Sequence, residues 1–439
     1  MKKFISILPN YLARISAAII ALMPFHAFMT VWLSSGVGHY TLVRLWKEIL
    51  LLLLLVGAGF LFVTQPKVRA ACKRQPLIGL MCIYVLFVIL VGGVAYIFDG
   101  VSLKAYTYGV LLDSRYLVFF CVTWLATQYS DLLVRFWKHL LLIPAAVVAG
   151  IAALQYTVLP ADFLRHFGYG PDTIRPTLTI DQKDAYKRVQ STLRGPNPFG
   201  AYLVVVLSAL SALLLKIKNQ RLGLIVLYVL AGLALVFTFS RSAWLGALAS
   251  TAWLLWMAVS SMRWRKVLLV GGAAALVSFG ALGYLLREND HFQNVFFHTN
   301  EHSQSSESSN FGHAKAVSEG LKDIARQPWG SGTGTAGPAS VYNASEPRIA
   351  ENYFVQIGQE IGIVGLSLFL VINILVSKLL WQRRRHTLAS VLLASFIGIT
   401  VINLLMHAWA DDTLAYIWWG LAGAAVALPI AKEGHEVAS

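Results

Sequence analysis

The stretch "PLIGLMCIYVLFVILVGGVAYI", residues 76–97, contains no charged side chain. A helix of about 20 apolar residues is long enough to cross the hydrocarbon core of a bilayer. Similar runs recur along the whole chain and predict about twelve transmembrane helices. The predicted spans are 14–34, 45–63, 76–97, 105–128, 136–158, 198–217, 221–239, 242–261, 266–286, 353–377, 387–409 and 412–431.

The composition agrees with an all-α, polytopic membrane protein. The chain has 439 residues, of which 57% are hydrophobic and only 13% are charged, whereas soluble domains carry about 25% charged residues. The runs extend from end to end, so we predict a single membrane domain, 1–439. The three cysteines have neither metal-type spacing nor a disulfide pattern and are expected to be inert.

The charges of the connections predict an orientation. The net charge of +15 is concentrated in short basic connections that alternate with polar ones, and cytoplasmic loops carry such an excess of Lys and Arg. Both termini are therefore expected in the cytoplasm. Two segments on the opposite side, 159–197 and 287–352, are too long to be simple turns. The second is a large loop between predicted helices 9 and 10, and the outer face is expected to carry the function.

Arginines stand out in the first long segment and in the junction after it. Arg188 and Arg194 precede "GPNPFG", where Asn197 is predicted to cap the next helix and Pro198 to begin it. Arginine suits phosphate groups because its guanidinium is a planar fork of donors. The alternative is that both arginines anchor the helix at the membrane surface. Arg241, in "TFSRS", lies between two apolar spans and is a stronger functional candidate.

Charged side chains also occur inside predicted spans. Asp113 and Arg115 lie about two turns inside the fourth span and, being two residues apart, should pair with other helices rather than with each other. Arg115 either shares a cavity with Arg241 or tethers helices. Lys47 and Glu48, near the outer end of the second span, pose the same alternatives.

The second long segment combines three patterns. Residues 298–313 resemble a disordered stretch, and "HAKAVSEGLKDIARQ" (313–327) has apolar residues at helical spacing. The glycines of "PWGSGTGTAGPAS" (328–340) lack the surroundings of a nucleotide-binding loop. A tight turn that approaches a substrate or another helix is the better interpretation.

The stretch 348–365 contains two carboxylates at the start of an apolar helix. Glu351 and Glu360 are nine residues apart and therefore point to opposite faces, so they do not form an acid–base dyad. Glu351 either complements the helix dipole or takes part in chemistry. Glu360 lies deeper, where we expect it to pair with an arginine or hold helices together. Gly358, Gly362 and Gly365 form a small-residue stripe suited to helix packing.

Four patches, in order, resemble the bacterial O-antigen ligase and O-antigen polymerase superfamily. They are "RVQSTLRGPNPFGAYL" (188–203), "TFSRSAWLG" (238–246), "QPWGSGTGTAG" (327–337) and "ENYFVQIGQEIGIVG" (351–365). The resemblance covers most of the chain after Arg188. It implies about twelve helices with a large periplasmic loop, in the bacterial inner membrane.

The resemblance also implies a reaction. A glycan would pass from an undecaprenyl-pyrophosphate donor to lipid A-core in ligases, or to a second lipid-linked glycan in polymerases, without a metal or other cofactor and without nucleic acid. Arg188, Arg194 and Arg241 would bind the pyrophosphate at a site facing the periplasm. The rival is a transporter or flippase for lipid-linked oligosaccharide, but the inverted repeats typical of transporters are not evident.

The chain departs from the family at two positions. Ligases carry His where Glu351 stands, and glutamate can also accept the proton of the acceptor hydroxyl. The exchange favours a polymerase or a broader ligase. His313 stands where many relatives have Arg. Possible substrate contacts are His313, Asn352, Arg115 and Lys47.

Overall fold

The structure is a computed structural model that describes residues 2–180, 183–216, 221–259, 261–286, 289 and 309–430. The part of the chain it describes is nearly all helical, as predicted, and a helix occupies each predicted span. The helices of the first half are α1 Lys2–Leu22, α2 His26–Val37, α3 Tyr40–Arg44, α4 Trp46–Thr64, α5 Pro66–Arg74, α6 Pro76–Phe98, α7 Leu103–Thr127 and α8 Leu132–Thr157.

The second half adds helices on both sides of the long second connection. They are α9 Pro196–Lys216, α10 Arg221–Phe237, α11 Arg241–Ala258, α12 Met262–Leu285, α13 Ser309–Arg326, α14 Tyr353–Gln382, α15 Thr387–Asn403 and α16 Asp412–Ala427. Helix α13 was predicted from residue 313 and begins four residues earlier. Most of the predicted disordered stretch, residues 298–308, lies outside the described residues.

Membrane-crossing potential is clear for a subset of these helices. Among the described residues, seven segments are long and apolar enough to span a bilayer, and Arg221–Phe237 and Thr387–Asn403 are apolar but shorter. The number of spans and the orientation stay predictions. The seven segments are Ile7–Val37, Trp46–Thr64, Pro76–Phe98, Leu103–Thr127, Leu132–Thr157, Pro196–Lys216 and Tyr353–Gln382.

A small hairpin departs from the all-α prediction. Strands β1 Leu178–Ile180 and β2 Lys183–Arg188 pair antiparallel within the first long connection. The backbone of Val189 then donates a hydrogen bond to the carbonyl of Phe237, 3.0 Å away. The first connection is therefore fixed to the end of α10, and Arg188 is held beside the junction that leads to Arg241.

Helix α16 is the centre of the bundle. It packs against α7, and Trp418 and Trp419 are fully buried. Helices α11 and α15 approach closely where Gly246 faces Gly398. A Cβ at either position would collide with the backbone of the other glycine. Small residues permit such backbone contacts between apolar helices.

Helix α14 is broken at Ile361 and Gly362, and the glycine-rich loop 328–337, hereafter the glycine loop, fills the break. Gly362 has a φ of 67°, a left-handed conformation that glycine adopts at little cost. The amides of Ser331 and Gly332 donate to the carbonyls of Gln359 and Glu360, at 2.8 and 2.9 Å. The loop thus satisfies backbone groups that the break leaves unpaired. Its predicted close approach to a helix is confirmed.

Candidate functional site

A cavity near the predicted site residues, hereafter the arginine cavity, has a volume of about 810 Å³. It lies between the first long connection, the start of α11, helix α13 and the segment before α14. Four of the predicted site residues line it: Arg188, Arg241, His313 and Glu351. Its remaining wall is largely apolar and includes Leu245, Leu321 and Met406. The cavity therefore joins cationic and apolar surfaces.

Arg188 is held in place by neutral oxygen atoms. Its Nε donates to the carbonyl of Thr238 at 2.8 Å, and its Nη2 donates to Oδ1 of Asn197 at 2.6 Å. Burial and the neighbouring Arg241 lower the pKa of Arg188 to about 10. Two guanidinium groups that repel each other favour an anion between them. Asn197 was predicted as a helix cap, but α9 already begins at Pro196, so the Asn197 side chain is available to hold Arg188.

The TFSRS junction folds as a tight turn that places Arg241 at the first position of α11. Phe239 has a φ of 50°, which is uncommon for a bulky residue. The backbone amide of Ser240 donates to Oγ1 of Thr238 at 3.1 Å. Within the described part of the chain, no side chain caps the start of α11. Because the N-terminus of a helix attracts negative charge, this end adds to the anion-binding character of the cavity.

His313 and Glu351, hereafter the His–Glu pair, line the cavity side by side and contact each other. Nδ1 of His313 contacts Oε2 of Glu351, and the two side chains are 41% and 38% exposed. Burial and the charge of Arg241 lower the pKa of His313. Because a carboxylate only accepts hydrogen bonds, Nδ1 carries the proton in this contact and Nε2 is left as an acceptor. Glu351 has a φ of 52°, a conformation that costs energy outside glycine and is found at functional sites.

Asn352 was predicted as a possible substrate contact, but its side chain is engaged within the fold. Its Oδ1 accepts from the amides of Phe354 and Val355, at 3.0 and 3.1 Å, and so caps α14. Its Nδ2 donates to the carbonyl of Leu404 at 3.0 Å. Asn352 therefore fixes the wall of the arginine cavity that follows α15.

Arg194 does not line the arginine cavity, although it was grouped with Arg188 and Arg241. It lines a separate pocket of about 170 Å³ together with His26 and Asp412. Its charge also acts on His407, whose pKa is lowered to about 4 by burial and by Arg194. The structure thus separates one of the three predicted pyrophosphate ligands from the other two.

Lys47 and Arg115 lie in a buried group of charges, hereafter the aspartate cluster: His26, Arg44, Lys47, Glu48, Arg115 and Asp412. Nζ of Lys47 lies 2.9 Å from both Asp412 and Glu48, and Arg115 pairs with Asp412. Lys47 and Arg115 are 1% and 2% exposed. Neither lines the arginine cavity, and Arg115 tethers helices, which was one of its two predicted roles. Asp412, the centre of the cluster, was missed because an acid before an apolar run resembles a helix cap.

Glu360 was predicted to pair with an arginine or to hold helices together, and its contacts among the described residues fit the second alternative. Its Oε1 accepts from the amides of Gly334 and Ala336, at 2.9 and 3.4 Å, and its carboxyl group lies near that of Asp113. Asp113 also accepts from Tyr353 at 3.4 Å. Glu360 therefore fastens the glycine loop to α7 and α14.

One comparison with known proteins gives a match. Residues 226–370 match the model of the family described as O-Antigen ligase. This third of the chain contains Arg241, His313, Glu351 and the glycine loop. No curated protein matches the chain. The resemblance to the O-antigen ligase and polymerase superfamily is thus confirmed, and it rests on residues 226–370.

Proposed function

We propose that the protein is a glycosyltransferase of the inner membrane that acts on the periplasmic side. Its donor would be a glycan on undecaprenyl pyrophosphate, which it transfers to lipid A-core or to a second lipid-linked glycan. The observation that carries the proposal is the presence of Arg188, Arg241 and the His–Glu pair around one cavity. The alternative of a flippase receives no support from the family match.

The two arginines would stabilise the leaving group. When the acceptor hydroxyl oxygen bonds to the anomeric carbon, the bond from that carbon to the pyrophosphate oxygen breaks, and the electron pair leaves with the pyrophosphate. Negative charge develops on that oxygen, and preorganised cationic donors stabilise such charge strongly in a site shielded from water. Arg188 and Arg241 occupy this role in the arginine cavity, and its apolar wall would hold the start of the lipid.

The His–Glu pair would accept the proton of the acceptor hydroxyl. The sequence predicts Glu351 as the base, and its contact with His313 allows the two residues to divide this role. Nε2 of His313 accepts the proton, while Glu351 orients the ring and stabilises the imidazolium that forms, as a carboxylate does beside a catalytic histidine. The lowered pKa of His313 keeps the ring neutral and competent to accept a proton near pH 7. The presence of Glu at position 351, where ligases carry His, favours a polymerase or a broader ligase.

Replacement of Arg241 tests the proposal. Purified protein would be given a lipid-linked glycan donor and an acceptor glycan, and elongation or transfer would be followed on gels. We expect Arg241→Ala to lower the rate at least 100-fold, because loss of one donor to a developing charge costs about that much. Arg384→Ala, an arginine outside the cavity, is the matched control. Undiminished transfer by Arg241→Ala would refute the proposal.

A further inference from the structure

The pocket that contains Arg194, hereafter the Arg194 pocket, has a volume of about 170 Å³ and is separated from the arginine cavity by two short segments. In the first segment, Arg188 lines the cavity and Arg194 lines the pocket. In the second, Met406 lines the cavity and Asp411 lines the pocket. A ligand in the pocket would therefore be a close neighbour of a ligand in the cavity, with protein backbone between the two.

Arg194 brings an unpaired positive charge to this pocket. In the part of the chain that the structure describes, its guanidinium has neither a hydrogen bond nor an ion pair. Its charge acts on the Tyr40 hydroxyl and on the Asp411 carboxyl group, and both of these residues line the pocket. The guanidinium therefore lies close to the lining groups, and its donors are available to a ligand.

Two further side chains offer donors. The Tyr40 hydroxyl lies near both Arg44 and Arg194, whose charges oppose the rise in the pKa of Tyr40 caused by burial. It has no hydrogen-bond partner among the described residues. Nη2 of Arg44 donates to the Tyr108 hydroxyl at 2.8 Å and lies 3.8 Å from Asp412. The other nitrogens of the Arg44 guanidinium have no partner within the described ranges, so they can also donate.

The charges around the pocket do not cancel. Four cations are combined with three carboxylates, which leaves one positive charge in excess when His26 is neutral. Asp412 is already contacted by cations of the aspartate cluster, and Oδ1 of Asp411 accepts from the amide of Leu414 at 3.1 Å. Burial and the neighbouring Asp412 raise the pKa of Asp411. The charges are Arg44, Lys47, Arg115 and Arg194 against Glu48, Asp411 and Asp412.

The available donors fit a small anion with several acceptor oxygens. The guanidinium of arginine is a planar fork of donors that matches phosphate oxygens, and the Tyr40 hydroxyl can donate to a further oxygen. The volume of about 170 Å³ exceeds the roughly 30 Å³ that one water occupies in the liquid. The pocket therefore has room for a phosphate group.

We propose that the Arg194 pocket binds a phosphate group of the acceptor. The proposal rests on the proposed function, which places the donor pyrophosphate in the arginine cavity. Because backbone separates the two sites, one pyrophosphate does not fill both. The acceptor is then an anionic lipid, either a second lipid-linked glycan with its pyrophosphate or a phosphorylated lipid A-core. Its phosphate fixes the acceptor relative to the His–Glu pair.

Titration with inorganic phosphate tests the pocket without catalysis. Every protein would carry Arg241→Gln, which disables the anion site of the arginine cavity. Arg194→Gln is then compared with Arg165→Gln, because the Arg165 side chain is 68% exposed on the same connection and does not line the pocket. Binding to detergent-purified protein would be followed by phosphorus NMR, and the Kd would be obtained from line broadening.

The background protein and Arg165→Gln should bind phosphate with the same Kd, and Arg194→Gln should bind it roughly tenfold more weakly, because it removes a charged donor. Tyr40→Phe removes a neutral donor and keeps the ring, so it should weaken binding about threefold. Equal Kd values for all four proteins, or no binding by the background protein, would overturn the proposal.

Transfer assays with Arg241 intact assign the phosphate to a substrate. Arg194→Gln should raise the KM of the acceptor about tenfold and leave the KM of the donor unchanged, whereas Arg241→Ala lowers the transfer rate itself. The acceptors would be a lipid-linked glycan and lipid A-core before and after phosphatase treatment. The acceptor whose KM rises identifies the source of the phosphate. Unchanged KM values for every acceptor, or a rise in the KM of the donor instead, would refute the proposal.

The two proposals fail in different ways. If no acceptor is used by the unaltered protein, the proposed function fails, and the assignment of the phosphate to an acceptor fails with it. The phosphate titration does not depend on transfer, so it still decides whether the Arg194 pocket is an anion site. If transfer occurs and Arg194→Gln changes neither phosphate binding nor any KM, only the pocket is refuted.

Discussion

The arginine cavity and the aspartate cluster use the same types of residue for opposite purposes. In the cluster, Asp412 lies within 4 Å of cations from three different helices and of the His26 ring, and Glu48 lies close to two of the same cations. In the cavity, the two hydrogen bonds of Arg188 go to neutral oxygens, and its charge repels that of Arg241. The Arg188 side chain is thus held by neutral groups, whereas the cations of the cluster are held by carboxylates.

The largest effect is expected from breaking the cluster. Asp412→Asn leaves Lys47 and Arg115 buried beside a neutral amide, and removal of one partner from a buried ionic network costs about 3–5 kcal/mol. We expect a lower yield and a clearly lower Tm in detergent. Asp411→Asn is the matched control, because Asp411 caps α16 through Leu414 and Asn caps equally well. Equal Tm values for both variants would show that the cluster does not stabilise the fold.

Disruption of the His–Glu pair should affect turnover and leave folding intact. His313→Gln removes the proton acceptor, and we expect a loss of about 100-fold or more in transfer. Glu351→Gln keeps the shape but no longer stabilises the imidazolium, so activity should fall less. In a plot of transfer rate against pH, the acidic limb of Glu351→Gln should lie at lower pH than that of the unaltered protein, because a carboxylate raises the pKa of a neighbouring histidine.

The pH profile of the transfer rate measures this effect. Because burial and Arg241 lower the pKa of His313, the rate of the unaltered protein should be level at neutral pH and fall only below about 6.5. Glu346→Gln, at an exposed carboxylate on the same segment, is the control. Near-normal turnover by both His313→Gln and Glu351→Gln would exclude the pair from catalysis.

His407 offers a pH test of the region between the cavity and the cluster. Its pKa is about 4 when folded and about 6.5 when unfolded, so the unfolded state binds more protons between these values. Stability should be complete above pH 6.5 and fall as the pH drops towards 4, by on the order of 3 kcal/mol. Thermal melting in detergent should show a smaller decline for His407→Gln. Arg194→Gln should also reduce the decline in stability at low pH, since that change raises the pKa of His407.

The smallest effect is expected at Asn197. Asn197→Ala removes one hydrogen bond from Arg188 and leaves the contact with Thr238, so we expect roughly a tenfold loss of transfer, about 1.4 kcal/mol. Asn197→Asp should retain more activity than Ala, because it keeps the acceptor oxygen. A reversed order would show that added negative charge near Arg188 competes with the substrate.

The sequence was sufficient for the helices and for four polar residues of the arginine cavity, because hydropathy and turn residues act locally. Long-range pairing was not accessible in the same way. His313 and Glu351 are separated by α13 and the glycine loop, and no spacing rule connects them. Lys47 and Glu48 were predicted either to share a cavity or to tether helices, and the sequence did not reveal that their side chains touch and that Asp412 and Arg115 extend the contact. The break in α14 was missed because an uninterrupted apolar run does not reveal that a distant loop replaces part of a helix.

The packing of the glycine loop into the break of α14 limits which segments can be exchanged between related proteins. The outer part of the helix, residues 353–361, is joined to the rest of α14 through hydrogen bonds from the loop as well as through the chain. The loop and residues 353–361 therefore form one hydrogen-bonded unit that carries Glu351 at its edge. A chimera that takes residues 328–337 from a relative should fold only when residues 353–362 come from the same parent. Natural recombination between such enzymes should respect the same boundary.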